Sequence, residues 1–117
     1  MHQYYISEPI PLDNPSPVLK IVGKTFVSLG ERFGYETLIN FGTSNCEACE
    51  RLDNLWLQLA KDCWSIPNLK IASFDVLKNE VPNLTIDSIP AIVLIKKGEL
   101  ITYKGDLDLL NIKDFLT

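Results

Sequence analysis

Histidine occurs once in these 117 residues, cysteine three times, and no stretch approaches the ~20 apolar residues of a membrane span. The scarcity of histidine leaves few ways to hold zinc. Cys46, Cys49 and Cys63 would need a fourth ligand, and His2, in a proline-rich opening, is a poor one, so no metal is expected. Basic clusters are missing too: Lys96-Lys97 is the only adjacent pair and the net charge is −4, which argues against a nucleic-acid partner. Without a long apolar run, or a basic opening followed by a hydrophobic segment, the chain reads as a soluble domain with no membrane partner and no leader of its own. Its last residues, Asp114-Phe115-Leu116-Thr117, are not a retention tetrapeptide either, and both absences fit an excised module of a longer protein.

What is present points to a single ordered domain. Hydrophobic residues make up 46% of the chain and charged ones 22%, the balance of a globular protein. A domain of this length buries most of the surface its unfolded chain exposes, so a disulfide is not needed to replace a missing core. The pair in Cys46-Glu47-Ala48-Cys49 is then better explained by function than by stability.

The motif follows the apolar run Thr37 to Phe41 and opens a segment of helical periodicity. Two cysteines three positions apart in a first helical turn lie close enough to close a disulfide ring. The first also sits over unpaired backbone N–H groups at the positive end of the helix, which stabilise a thiolate. Cys46 is therefore the expected nucleophile and Cys49 the resolving thiol. Ser44-Asn45-Cys46-Glu47 has the form of a capping box, so the helix is expected to begin at Ser44 or Asn45. Cys49, Leu52, Trp56, Leu59 and Cys63 then form an apolar stripe, with Cys49 facing inward and Cys46 near the surface. Cys63, ending that stripe, reads as an inert core thiol, Trp56 as core, and Trp64 as a cover for the helix end.

Elements alternate along the rest of the chain. Residues 1–17 carry Pro9, Pro11, Pro15 and Pro17 and read as an extended linker, with Tyr4, Tyr5 and Ile6 available to pack on the domain or a neighbour. The domain proper is expected over 18–117. Strands are expected over 18–22, 37–41, 69–74, 91–95 and 100–103, the last two joined by a turn at Lys97-Gly98-Glu99. Helices are expected over 24–32, after the cysteine pair, weakly over 77–84 where Pro82 interrupts, and around Leu109, Ile112 and Leu116. This order implies an α/β fold, a central mixed sheet covered by helices. Asn83-Leu84-Thr85 is a glycosylation sequon, used only in a secretory compartment.

That order, with the cysteine pair after the second strand and Ile89-Pro90 before the fourth, resembles the thioredoxin fold. The chain is similar to a thioredoxin-like catalytic domain of the protein disulfide isomerase family, especially its second (a′) domain. The residues that carry the likeness are Ser7-Glu8-Pro9-Ile10-Pro11, Pro17 to Phe26, Asn79-Glu80-Val81-Pro82, Ile89-Pro90 and Tyr103-Lys104-Gly105-Asp106. The resemblance implies a thiol–disulfide oxidoreductase or isomerase that works in protein folding in the endoplasmic reticulum lumen. It implies no cofactor beyond a redox-active Cys46–Cys49 disulfide. Its partners would be cysteine-containing proteins or peptides, glutathione, and the other domains of a longer chain. It makes Pro90 a cis-proline facing the dithiol and Ile89 the backbone that pairs with an extended substrate.

Departures from the family pattern surround the motif. Glu47-Ala48 replaces the usual Gly-His, Asn45 the preceding aromatic residue, and Asn40 a carboxylate that in the family helps move the resolving thiol's proton. Leu52-Asp53-Asn54 stands where the family places a helix proline, and Asp106-Leu107 near where it carries an arginine. Glu47 and Asn40 are thus candidate redox-tuning residues, with Glu47 equally readable as a helix-capping carboxylate and Asn40 as a hydrogen-bonded core amide. A helix N-terminus favours an exposed thiolate by ~0.3–1 kcal/mol. The Glu47 carboxylate at roughly 7 Å opposes this by ~0.6–1.2 kcal/mol. The two nearly cancel, so the pair is expected to be a weaker oxidant than its Gly-His relatives. The alternative is a redox-attenuated, peptide-binding or chaperone-like module on the same fold.

Overall fold

The computed structural model describes residues 6–29, 36–81 and 84–116. Eight elements follow one another: β1 (Leu19–Lys20), α1 (Gly23–Leu29), β2 (Glu36–Gly42), α2 (Glu47–Asp62), β3 (Leu69–Asp75), β4 (Ala91–Lys96), β5 (Glu99–Thr102) and α3 (Leu109–Phe115). The strands form one mixed sheet in the order β1-β3-β2-β4-β5. β2 is parallel to β3 and antiparallel to β4, and therefore lies at the centre.

Alternation along β2 divides the core into two layers, because successive side chains of a strand point to opposite faces. Leu38 packs with Ile71, Ile92, Leu94 and Ile112, together with the α2 stripe of Leu52, Trp56, Leu59, Ala60 and Cys63. Ile39 and Phe41 face the other way, with Ile21, Ala72, Phe74, Val93 and Ile95, beneath Phe26 of α1. Phe26, Phe41 and Phe74 make edge or tilted contacts with centroids 5.1 to 6.1 Å apart. The Trp56 indole N–H donates to the Ala72 carbonyl at 2.7 Å and pins α2 to the sheet. The hairpin turn is Lys97-Gly98, both at positive φ, as a two-residue turn between twisted strands requires.

Two expected elements and one expected contact differ. The first strand is only two residues long, since the Thr25 hydroxyl accepts the Val22 N–H and the Val22 carbonyl starts α1. No helix forms among the described residues of 77–84. The Asp75 carbonyl instead accepts from Lys78 N–H and the Asn79 amide, the Asp75 carboxylate accepts from Leu77 N–H, and the chain closes a turn there. Trp64 does not cover the end of α2; it is 74% exposed. Tyr4, Tyr5, Pro82 and Asn83 of the sequon lie outside the described residues, as does the far end of the helix expected over 24–32.

The segment before β1 is tied down by polar contacts. Asn79, buried, accepts from the backbone N–H of Glu8 at 2.8 Å and of Gly23 at 3.0 Å, and donates to the Glu8 carboxylate and the Asp75 carbonyl. Ile6 accepts from Glu80 N–H, and Asn14 reads both Val18 and Lys20 backbone groups.

Candidate active site

β2 ends at Gly42 and the chain turns through Thr43, Ser44 and Asn45, the last at φ 62°, before α2 starts. Asparagine tolerates this left-handed conformation better than most residues. The helix begins one or two residues later than the capping-box reading places it: Cys46 itself is the N-cap, and its sulfur accepts the Cys49 N–H at 3.2 Å. Neither Ser44 nor Asn45 takes that position, because the positive φ at Asn45 turns the chain away from the axis and brings the cysteine into it.

Cys46 and Cys49 are joined as a disulfide, with Cα atoms 5.1 Å apart. Cys46 is half-buried while Cys49 is 2% exposed, as the stripe reading expects. An incoming sulfur therefore meets Cys46 first. Reduction would leave the Cys46 sulfur under the same backbone N–H at the positive end of α2, an arrangement that favours thiolate.

Asn40 is buried at 3% exposure, on the α2 side of the sheet, but its Oδ1 has no hydrogen-bond partner among the described residues. It is not the hydrogen-bonded core amide the sequence suggests. Gly42 explains how close the neighbours come. A Cβ there would lie 3.1 Å from Cys49 Sγ and 3.8 Å from Asn40 Oδ1, so the two atoms border one small space that only glycine leaves open. That space belongs to a cleft of about 620 Å³ between α2, the ends of β2 and β3, and the Pro11–Ser16 segment. Glu47 is exposed in the first turn of α2 and does not line it.

Asp53 does line the cleft, and nothing in the sequence reading assigned it a part. Its place four residues after Cys49 on one helix face was the available signal. Partial burial, and secondarily the neighbouring Glu50 carboxylate, hold the Asp53 carboxyl above the usual aspartate range.

The Ile89–Pro90 peptide bond is cis. It immediately precedes Ala91, which is in register with Phe41, so it lies at the same end of the sheet as the disulfide. Cys63 is a free, buried thiol at the other end of α2, pushed up chiefly by burial. Fourteen helical positions separate it from Cys49, about 21 Å of axis, so the three cysteines do not share an ion. Among the described residues no group of three or more His, Cys, Asp or Glu could hold a metal, and no helix is long and apolar enough to cross a membrane.

A disulfide capping the helix that follows the central strand, with a cis-proline bond at the same end of a mixed sheet, defines a thioredoxin-fold protein of the dithiol class. The chain belongs to the thioredoxin family, whose profile matches residues 18–117. It is similar to protein disulfide isomerases. It is 36% identical over 98 residues to protein disulfide isomerase-like 1-5 of Arabidopsis thaliana, covering 83% of this chain and 18% of that one. Identity to protein disulfide-isomerase A4 of Homo sapiens is 32% over 116 residues, 94% of this chain and 18% of the relative. A probable protein disulfide-isomerase A4 of Caenorhabditis elegans is 30% identical over 116 residues, 95% of this chain and 19% of the relative. The chain thus spans about a fifth of the length of these relatives. In fold it is similar to the J-Trx1 fragment of ERdj5, with a TM-score of 0.70 at 18% identity over 86% of this chain and 50% of that one.

Proposed function

We propose that this domain is a thiol–disulfide oxidoreductase of the protein disulfide isomerase type, acting on cysteine-containing proteins and peptides. The observation that carries the reading is the asymmetry of one disulfide: a half-buried cysteine at the helix N-cap, bonded to a buried one.

In the oxidising direction a substrate thiolate attacks Cys46 Sγ and the Cys46–Cys49 bond breaks. Cys49 leaves with the electron pair and takes up a proton. A second substrate thiolate then attacks the substrate sulfur of the mixed disulfide, forming the substrate disulfide and releasing Cys46 as thiolate. Two electrons pass from substrate to the pair. In the reducing direction Cys46 attacks, and Cys49 resolves the mixed disulfide. Ile89, before the cis-proline, offers backbone to an extended substrate segment. Glu47, by its negative charge at the helix start, lowers the oxidising power of the pair, and Asn40, standing where relatives carry a carboxylate, takes away a proton acceptor near Cys49. Glutathione is the small-thiol partner, no cofactor beyond the disulfide takes part, and the endoplasmic reticulum lumen is the place of work. Residues 1–17 join this domain to the rest of a longer chain.

Insulin reduction and refolding of scrambled ribonuclease test the reading. Both activities are expected in the intact domain and expected to vanish in Cys46→Ser. Activity indistinguishable from that variant would overturn the oxidoreductase reading and leave a peptide-binding module.

A further inference from the structure

Ring closure requires Cys49 to lose a proton, and ring opening to gain one, although Cys49 is 2% exposed. It lines a cleft that also carries polar and ionisable side chains. Within that cleft Asn40 Oδ1 is a buried acceptor without a partner among the described residues, and it borders the same space at Gly42 as Cys49 Sγ. An unsatisfied buried carbonyl oxygen facing a polar space large enough for solvent is where a bridging water gains most.

The cleft's ionisable groups differ in how free they are to act. Asp75, from β3, accepts from the Thr43 hydroxyl at 2.9 Å and from Leu77 N–H at 3.0 Å. Lys20, from β1, is paired with Glu8 at 3.1 Å. Asp13 comes from the segment before β1, and Glu50 and Asp53 from α2. Asp53 follows Cys49 by one helical turn, and helical side chains lean toward the preceding turn, which carries the Asp53 carboxylate toward the cysteine.

We propose that Asp53 takes and returns the Cys49 proton, through a water seated against Asn40 Oδ1. The inference rests on Cys49 being the resolving thiol. When the mixed disulfide on Cys46 is resolved, the Cys49 proton passes by way of the water to the Asp53 carboxylate. The sulfur's electron pair forms the Cys49–Cys46 bond, the bond from Cys46 to the substrate sulfur breaks, and the substrate leaves as thiolate. Asp53 then releases its proton to solvent and the substrate thiolate takes one up. Ring opening runs the same path in reverse. Partial burial beside Glu50 favours this role, because it raises the basicity of the Asp53 carboxylate.

Reaction of the reduced domain with 5,5′-dithiobis(2-nitrobenzoate) separates the steps without any protein substrate. The first thionitrobenzoate is released by Cys46 attack and the second by Cys49 closing the ring. In the wild type the second phase is expected to slow as pH falls through the raised Asp53 pKa. Asp53→Asn is expected to slow that phase at least tenfold near neutral pH, within the range of a general base. It should also abolish the acid inflection and approach wild type in alkaline solution, where hydroxide removes the Cys49 proton without a carboxylate's help. Asp53→Glu should keep the inflection, and Asp62→Asn, at the other end of α2, should leave both phases unchanged. An Asp53→Asn ring closure with the wild-type rate and pH profile, or a deficit equal at every pH, overturns the inference. A domain that closes its ring through Asp53 yet leaves insulin untouched overturns the proposed function instead.

Discussion

Asn40 Oδ1 is the one buried side-chain polar atom without a hydrogen-bond partner among the described residues. A carboxamide at 3% exposure whose oxygen has no partner among the described residues is a cost that a bridging water offsets, and chain neighbours alone do not reveal it. Asp53 lines the same cleft, and the partial desolvation of its carboxyl leaves a mark on stability as well as on rate. Its folded-state pKa lies above the unfolded one, so the carboxyl favours folding most when protonated. That contribution is full below the unfolded value and is lost as pH rises through the folded value. Asp53→Asn is thus expected to raise the unfolding free energy at pH 7, with no such gain near pH 3. Because the carboxyl is largely solvent-screened, the gain should not exceed about 0.5 kcal/mol, measured by urea titration at the two pH values. A stabilising substitution that slows ring closure would be the usual trade of stability against activity.

At the scale of the element, α2 joins two tasks in one residue. The Cys46 sulfur is both the reacting atom and the acceptor that caps the helix. Serine is a good N-cap and alanine a poor one, so Cys46→Ala is expected to be less stable than Cys46→Ser by about 0.5–2 kcal/mol. Neither variant can form the disulfide, so urea unfolding at 25 °C isolates the cap from the cross-link. The periodic parts of this element were legible beforehand. Cys49, Leu52, Trp56, Leu59 and Cys63 are all buried, since a 3.6-residue repeat shows wherever one face meets a core. The start was misread because a capping box and a cysteine cap share one local sequence, and only the positive φ at Asn45 separates them. The weak helix expected over 77–84 failed for a similar reason. Asp75 and Asn79 consume the backbone groups that a helix would have used.

For the whole molecule, Asn79 links parts of the chain more than fifty residues apart. It accepts from Glu8 and Gly23 and donates to the Glu8 carboxylate, which also pairs with Lys20. Those contacts, the Asn79 hydrogen bond first, hold the Glu8 carboxyl below its ordinary value against the opposing effect of burial. Its contribution to stability is therefore present above the unfolded pKa and lost as pH falls through the folded one. Acidification below pH ~4 is expected to loosen residues 6–18 ahead of the core, seen as loss of amide-exchange protection at Glu8 and Glu80 while β2 stays protected. Asn79→Ala should do the same at neutral pH and cost about 1–3 kcal/mol, since it leaves buried donors unpaired. The Pro11–Ser16 part of this segment walls the cleft beside Cys49, so its release would also open that cleft to solvent.

The dithiol, the inward turn of Cys49, the buried strand over 37–41 and the mixed sheet follow from composition, spacing and element order. They depend on residues a few positions apart, whose periods of 2 and 3.6 are written directly in the chain. The cleft, the orphaned Asn40 oxygen, the place of Asp53 beside them and the Asn79 clamp arise only on folding. Each needs groups from strands, helix and leading segment brought within hydrogen-bond or contact distance, and no local pattern encodes that. Two cysteines in the right order make a disulfide possible; the packing around them decides where its proton goes.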